Sequence, residues 1–285
     1  MRWEGRRQSD NIEDRRGMRI SRGGLVGGGL GTIAIALLIM FMGGDPSVVL
    51  QGVGEGPVQT TEEPYTETPE EAKQKEFVGV ILAETETAWS AQFTAMGGEY
   101  RKPKLVLYRD AVESGCGVAE SGMGPFYCPP DEGVFLDMTF FKEMDERFHA
   151  GGDFAYAYVV AHEVGHHVQN LLGIANNVQE MRQRPGVGEI EGNALSVRLE
   201  LQADCFAGVW GNYAKKAGII EQGDFEEGMT AATAIGDDRL QRSAGRSVMP
   251  DSFTHGTSEQ RTRWLRRGIE TGSVESCDTF KAADL

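Results

Sequence analysis

The chain has 285 residues, of which 40% are hydrophobic and 25% are charged, so it is long enough to bury a sizeable core. Its 43 acidic residues outnumber its 28 basic residues, which gives a net charge of −15 at neutral pH. Such an acidic surface repels a polyanion, so the composition excludes a nucleic-acid-binding protein.

The first 44 residues differ in composition from the rest. Residues 1–22 contain seven arginines against four acids, whereas Gly23–Gly44 contains no ionisable residue. A helix of that length spans roughly 33 Å, enough to cross a hydrocarbon core of about 30 Å. No small-residue cleavage site directly follows it, so we expect a retained signal anchor and not a cleaved signal peptide.

The predicted anchor fixes an expected location for the rest of the chain. By the positive-inside rule, residues 1–22 form a basic cytoplasmic segment. The C-terminal bulk then lies outside the cytoplasmic membrane, in the periplasm or at the cell exterior. Residues 45–72 are rich in Gly, Pro, Thr and Glu, which is typical of a flexible linker.

Residues 73–285 are predicted to form one folded domain. Helical spacing of apolar residues, with glycine at several ends, predicts helices over about Lys73–Gly97, Thr139–Phe148, Asp153–Leu172, Glu189–Ala217, Asp224–Ile235 and Ser258–Glu270. Strands are predicted over Lys104–Tyr108, Pro125–Cys128 and Gly133–Asp137, the last two forming a hairpin. The fold class is therefore α+β: a helix-dominated domain with a small mixed sheet, preceded by one N-terminal transmembrane helix.

The four cysteines show no C-x-x-C spacing, so a thiolate zinc site is not indicated. In an exported domain an even number of cysteines favours disulfides. We favour Cys116–Cys128, which closes a glycine-rich loop, and Cys205–Cys277, which attaches the C-terminal tail to a helix. Free buried thiols are the alternative.

One predicted helix contains an H-E-x-x-H motif at positions 162–166. His162 and His166 are four residues apart, so both imidazoles lie on one helix face and can bind one zinc ion. Glu163 lies about 100° around the helix, where it need not ligate and can act as the general base. His167 points away from His166 and is predicted to form structural hydrogen bonds.

Two histidines leave a catalytic zinc site one protein ligand short. Glu200 and Asp204 in the next long helix are also four residues apart, so one can ligate while the other holds a ligating imidazole. Glu189 and Glu191 are competing candidates for the third ligand, and Asp204 itself is another.

The segments AHEVGHHVQN, ELQADCFAGVW, GPFYCPPD, HGTSEQR and CDTF together resemble the YpfJ-type neutral zinc metallopeptidases. The resemblance covers about Lys73–Phe280, and the layout is also similar to gluzincins such as the thermolysin-like and HtpX-like peptidases. It implies a zincin-like fold with one zinc ion. It also implies that His162, His166 and Glu200 bind that ion, that Glu163 is the general base and acid, and that Asp204 lies behind His162.

His255 and Arg261 are further catalytic candidates, because an imidazole or guanidinium can stabilise the negative charge that develops on a scissile carbonyl. Their spacing is similar to the H-P-x-x-x-x-R element of HtpX-like peptidases, although this chain has Gly256 in place of the proline. The alternative makes His255 an exposed residue flanking a helix and Arg261 a member of a structural ion pair.

The sequence thus predicts a membrane-anchored zinc peptidase whose partners are a peptide or protein substrate and the membrane. Two alternatives stay open: a zinc-binding scaffold or holdase with vestigial activity, and a zinc amidase acting on cell-wall peptide. Gly133–Asp137 is a candidate edge strand for an extended substrate, or equally a sheet element without that role.

Overall fold

The computed structural model describes residues 1–22, 58–62, 65–120 and 124–285, and they form a helix-dominated α+β structure with a small mixed sheet. The helices are α1 (Pro69–Ala95), α2 (Thr139–Glu146), α3 (Asp153–Leu171), α4 (Ile174–Arg182), α5 (Glu189–Lys216), α6 (Asp224–Ala234), α7 (Asp237–Ser243) and α8 (Ser258–Thr271). The strands are β1 (Ile12–Asp14), β2 (Met18–Arg22), β3 (Val58–Glu62), β4 (Lys104–Tyr108), β5 (Ala111–Ser114), β6 (Gly117–Glu120), β7 (Phe126–Cys128) and β8 (Gly133–Asp137).

Two helices begin at capping boxes. In α1 the Thr68 hydroxyl accepts from the backbone N–H of Glu71, whose carboxylate accepts from the N–H of Thr68. Thr257 and Gln260 make the same exchange at the start of α8. Since Pro69 opens α1, this helix begins one turn before the predicted start at Lys73.

Helix α3 is capped from another helix. Its N-cap residue is Gly152, directly before the predicted start at Asp153. The Glu227 carboxylate of α6 accepts the N–H of Phe154 at 3.0 Å and satisfies one of the free donors of the first turn. Asp153 instead accepts a hydrogen bond of 2.9 Å from the indole of Trp3.

The main sheet has the order β1–β4–β8–β7. The β1–β4 and β4–β8 pairs are parallel, and β7 and β8 form the predicted antiparallel hairpin. All five residues of β8 are buried, and the strand lies between two neighbours. The interpretation of Gly133–Asp137 as an edge strand is therefore wrong, because β7 occupies that edge.

Helices α5 and α8 cross at two glycines. A Cβ atom on Gly208 would lie 2.2 Å from the Leu265 carbonyl oxygen, and one on Gly268 would lie 2.0 Å from the Cys205 carbonyl oxygen. Only hydrogen fits at either position. Next to this crossing the disulfide Cys205–Cys277 attaches the C-terminal tail to α5, as predicted.

The other predicted disulfide is also present, since Cys116 in the β5–β6 turn is bonded to Cys128 at the end of β7. Trp89, Trp210 and Trp264 are buried in the core, as their helical spacing indicates.

The membrane-spanning helix predicted for Gly23–Gly44 lies outside the described residues, as does most of the predicted linker. Among the residues that are described, no helix combines the length and apolarity needed to cross a membrane. The transmembrane part of the predicted fold class is corrected accordingly.

The predicted single-pass location is also wrong, because residues 1–22 contact the domain from which a membrane would separate them. Trp3 is buried in the main core, and β1 pairs with β4. In addition, β2 and β3, which precede and follow residues 23–57, pair with each other. A single crossing between them would put paired strands on opposite sides of a bilayer.

Candidate metal centre and cleft

Helices α3 and α5 bring His162, His166 and Glu200 together. Nε2 of His162 lies 3.2 Å from Glu200 Oε2, and Nε2 of His166 lies 3.5 Å from Glu200 Oε1. The ligand atoms of these residues all lie within 4.8 Å of one another, and they form the only such metal-binding cluster among the described residues. The two imidazoles therefore face a common carboxylate from the neighbouring helix.

The close approach of the two helices depends on a glycine inside the motif. A Cβ atom on Gly165 would lie 3.0 Å from the carbonyl oxygen of Ala203 and 3.2 Å from its Cα. With hydrogen at this position, the backbone of α3 packs directly against α5. This packing brings the Glu200 carboxylate within reach of both histidines.

Each imidazole is held at its Nδ1 atom. His162 Nδ1 lies 2.9 Å from Asp204 Oδ1, and His166 Nδ1 lies 2.9 Å from Gln169 Oε1. The amide of Gln169 donates to the Leu199 carbonyl at 2.7 Å, so its oxygen is the atom that faces His166. Both partners are acceptors, which places the protons on Nδ1 and directs both Nε2 atoms towards Glu200.

These residues fit a zinc ion. Two imidazole nitrogens and one carboxylate form a ligand set of catalytic zinc sites, which keep a fourth position open for water or substrate. The open side here is the cleft, because all three residues line it. Of the predicted alternatives, Glu191 lies nine residues before Glu200, about 13 Å along the helix, and Glu189 lies further still.

The charged groups of this cluster shift one another's pKa values. Burial lowers the pKa of His162, but the negative charge of Asp204 and the hydrogen bonds to Asp204 and Glu200 together outweigh burial and raise the pKa to about 10. Burial raises the pKa of Glu200, but the charges and hydrogen bonds of His166 and His162 together outweigh it and hold the pKa well below its ordinary value. The site thus stabilises positive charge between its acids, as a cation site requires.

Asp204 lies behind His162 and is fully buried. Besides His162, its carboxylate accepts from the Tyr158 hydroxyl at 2.6 Å and from the Arg261 guanidinium at 2.9 Å to each oxygen. Since Asp204 contacts the Nδ1 side of His162, it lies on the opposite side of the ring from Glu200. No sequence motif marks Tyr158, which the fold alone brings to this carboxylate.

Arg261 is 3% exposed and points to Asp204, so its contacts are those of a buried ion pair. Burial lowers the pKa of its guanidinium, but the charge of Asp204, the hydrogen bond to it and the nearby Tyr158 and Glu200 together raise the pKa well above the ordinary value. This geometry matches the alternative interpretation of Arg261 as a structural partner.

His255 lies at the cleft and is held by Asp237. Its Nδ1 atom is 3.2 Å from Asp237 Oδ1, while Oδ2 accepts the backbone N–H groups of Thr254, His255 and Gly256. The hydrogen bond that its Nδ1–H donates to Asp237 raises the pKa of His255. Asp237 begins α7, a helix that was not predicted from the sequence. It was therefore not among the predicted site residues.

Gly256 has a structural reason to replace proline. Its φ is +94°, in the left-handed region, whereas a proline ring fixes φ near −65°. The turn that presents His255 therefore excludes the proline of the similar H-P-x-x-x-x-R element.

The cleft in front of the histidines has a volume of about 610 Å³. Glu163 lines it beside His162 and His166, and no described residue donates a hydrogen bond to its carboxylate. Aromatic and aliphatic side chains form much of the remaining wall: Phe126, Tyr127, Phe140, Phe148, Leu199 and Leu240. A mostly apolar cleft with a few converging polar groups is the usual form of a substrate site.

A second cavity, of about 640 Å³, lies against Val106 and Phe135, away from the histidines. Two of its charged groups pair with each other: Glu13 Oε1 lies 2.7 Å from Arg15 Nε. It holds no metal-binding cluster, so we place the chemistry in the cleft of α3 and α5.

His167 makes the structural hydrogen bonds expected of it. Its Nε2 atom lies 2.6 Å from the Arg101 carbonyl oxygen, and its Nδ1 atom lies 3.0 Å from the Tyr127 hydroxyl. Burial lowers the pKa of this imidazole, which keeps the ring neutral.

Comparison with known proteins gave a family match and several relatives. The family model described as "Putative neutral zinc metallopeptidase" matches residues 1–280. The chain is 49% identical over 288 residues to "Uncharacterized protein YpfJ" of Escherichia coli K12, covering 98% of this chain and 99% of that protein. It is 39% identical over 225 residues to "Uncharacterized protein Rv2575" of Mycobacterium tuberculosis H37Rv, covering 75% and 74% of the two chains.

A search of solved structures gave no significant match. The family match covers nearly the whole chain, including every segment on which the resemblance in the sequence rests. The chain belongs to the neutral zinc metallopeptidase family.

Proposed function

We propose that this protein is a zinc-dependent peptidase that hydrolyses peptide bonds with Glu163 as general base. One observation carries the proposal: His162, His166 and Glu200 converge in a cleft that Glu163 also lines. The family match supports a zinc peptidase in general, and the geometry supports these roles for individual residues.

Zinc held by such a set supplies Lewis acidity, which polarises a carbonyl and lowers the pKa of water. Glu163 takes the proton of the attacking water and later delivers a proton to the leaving amine. Asp204 and Gln169 keep the Nδ1 protons in place, so the Nε2 lone pairs of both histidines stay available for the metal.

We assign charge stabilisation at the scissile carbonyl to His255 and a positioning role to Arg261. With Nδ1 of His255 bonded to Asp237, the Nε2 side is left to donate a hydrogen bond into the cleft. Arg261 offsets the buried charge of Asp204 and so keeps that carboxylate ionised behind His162.

The Glu163→Gln variant tests the general base. Glutamine keeps the size of the side chain but cannot accept the proton, so we expect peptide hydrolysis to fall by about a thousandfold. The zinc content of the purified protein, measured by mass spectrometry, stays that of the wild type.

Glu191→Gln is the matched control, because this acid is exposed and was a competing ligand candidate. We expect it to retain both zinc and activity on unfolded casein. Wild-type hydrolysis rates in Glu163→Gln would show that another group is the base.

The two alternative functions predict different experimental results. A zinc-loaded protein without chelator-sensitive cleavage of any peptide would indicate a scaffold. Faster cleavage of peptidoglycan fragments than of unfolded protein would indicate the cell-wall amidase.

A further inference from the structure

Strand β7 borders the cleft at one edge of the main sheet. It pairs on one side with β8, and among the residues that the structure describes no strand pairs with its other side. Residues at both ends of the strand and within it line the cleft: Gly124, Pro125, Phe126, Tyr127 and Pro129. A free strand edge offers backbone N–H and C=O groups to an extended chain.

Alternate residues of β7 face opposite sides of the sheet. The Phe126 ring stacks on Phe135, with ring centroids 4.9 Å apart, in the smaller hydrophobic cluster. Tyr127 pairs in register with Val134 and faces the main core and α3. The side chain of Tyr127 is therefore the one that links this short strand to the helix of the zinc ligands.

The hydrogen-bond partners of Tyr127 and His167 determine which atoms of this link carry the hydrogens. The Arg101 carbonyl can only accept, so Nε2 of His167 carries the proton and Nδ1 is the acceptor. The Tyr127 hydroxyl, 3.0 Å away, donates to Nδ1. The same oxygen accepts from Nδ2 of Asn170, also at 3.0 Å. The hydroxyl thus both donates to and accepts from α3.

We propose that Tyr127, His167 and Asn170 form a clamp that positions the free edge of β7 as the binding strand for an extended peptide. This inference rests on the proposed peptidase function. His167 directly follows the ligand His166, and Asn170 lies one turn further along the same helix. The clamp therefore fixes the spacing between the peptide backbone on β7 and the zinc ligands. All three are positioning residues, since they hold the strand and do not contact the reacting atoms.

The test measures binding without turnover. In the zinc-loaded Glu163→Gln protein, we expect Tyr127→Phe to weaken binding of a fluorescein-labelled peptide of about eight residues roughly fivefold, by fluorescence anisotropy. Phenylalanine lacks the hydroxyl, so the variant loses both the hydrogen bond to His167 and the one from Asn170. Tyr213→Phe is the matched control, since its hydroxyl contacts Glu84 away from the cleft, and it should leave the Kd unchanged.

A double-mutant cycle with Asn170→Ala tests whether the residues act together. If they form one clamp, the double variant binds the peptide about as weakly as either single variant. If the Kd of the double variant instead rose by the product of the two single-variant factors, the residues would act independently and a shared clamp would be contradicted.

A second measurement separates positioning from general loss of structure. In the active protein, Tyr127→Phe should raise KM for the long peptide with kcat within about twofold, and should leave cleavage of a blocked dipeptide unchanged. Equal losses on both substrates, or an unchanged Kd, would overturn the clamp. Inertness of the wild type towards every peptide would instead refute the proposed function, while the binding measurement would still decide the clamp.

Discussion

Asp204 is the residue on which the candidate metal centre depends most. Its buried carboxylate accepts from a histidine, a tyrosine and an arginine that lie on two other helices. A buried charge with this many donors orients His162 and offsets the charge of Arg261 at once. Its removal affects both metal binding and the ion pair.

We expect Asp204→Asn to weaken zinc binding by about 10- to 100-fold, because His162 loses the anionic acceptor that orients its ring. The measurement is competition with a chromogenic chelator. Asp251→Asn, at an exposed position, is the control and should bind zinc as the wild type does. Unchanged affinity in Asp204→Asn would show that Asp204 does not support the ligand.

At the level of single residues, sequence spacing was a good guide wherever one helix presents several groups. His162 and His166, and likewise Glu200 and Asp204, lie where a four-residue interval puts them. Asp237 and Tyr158 escaped prediction because their partners are far away in sequence. Nothing local distinguishes such a residue from an ordinary surface acid or core aromatic.

Helix packing in this molecule uses glycine at two crossings of α5. Gly165 lets α3 approach α5, and Gly208 with Gly268 lets α5 approach α8. Since α5 takes part in both crossings, it carries Glu200 and Asp204 between the zinc-ligand helix and the helix of Arg261.

We expect Gly208→Ala to lower the free energy of unfolding by about 3 kcal/mol, because its methyl group would overlap the backbone of α8. Gly192→Ala, in the same helix, is the control: a Cβ there meets only Arg182 Nε at 3.6 Å. It should raise stability by up to about 1 kcal/mol through helix propensity. Urea unfolding of both variants checks the opposite signs, and equal effects would contradict the packing argument.

Most long elements were predictable because their signals are local. Glycine stops and apolar periodicity gave α3, α5 and α8 to within a few residues. The short β1 strand and the β5–β6 hairpin were missed, since three or four residues carry too little periodicity to identify a strand. The short helices α4 and α7, of nine and seven residues, were also missed.

At the scale of the whole molecule, the N-terminal segment packs against the rest of the fold. Ser9 and Asn11 donate to the Glu86 carboxylate of α1, and Lys102 Nζ lies 3.1 Å from the same group. Arg7 is 3.6 Å away from it. Glu86 is 1% exposed, so one buried acid connects the N-terminal segment, α1 and the start of the sheet. An apolar stretch beside an arginine-rich segment is typical of an anchor, and composition alone does not reveal these contacts.

This connection should make stability depend on pH. Burial raises the pKa of Glu86, but the hydrogen bonds from Ser9, Asn11 and Lys102 outweigh it, and the net shift is downwards. A pKa lower in the folded state means that the contribution is present above the unfolded pKa, near 4.3, and is lost as the pH falls below it.

We expect Glu86→Gln to lower the free energy of unfolding by about 1–3 kcal/mol at pH 7, because a charged acceptor is replaced by a neutral one. The difference from the wild type should shrink below about pH 4. Urea unfolding at both pH values measures it, with the exposed Glu99→Gln as control. A difference that is constant with pH would contradict the role of the ionised carboxylate.

The pairing of β2 with β3 makes the intervening stretch removable. Arg22 and Val58 are register partners, so their Cα atoms lie about 5 Å apart, a gap that a two-residue hairpin turn closes. A chain in which Asn-Gly replaces residues 23–57 should keep its hairpin ladder, zinc affinity and melting temperature. The shortened protein would have 252 residues and would retain the entire candidate metal centre in a form suited to crystallisation.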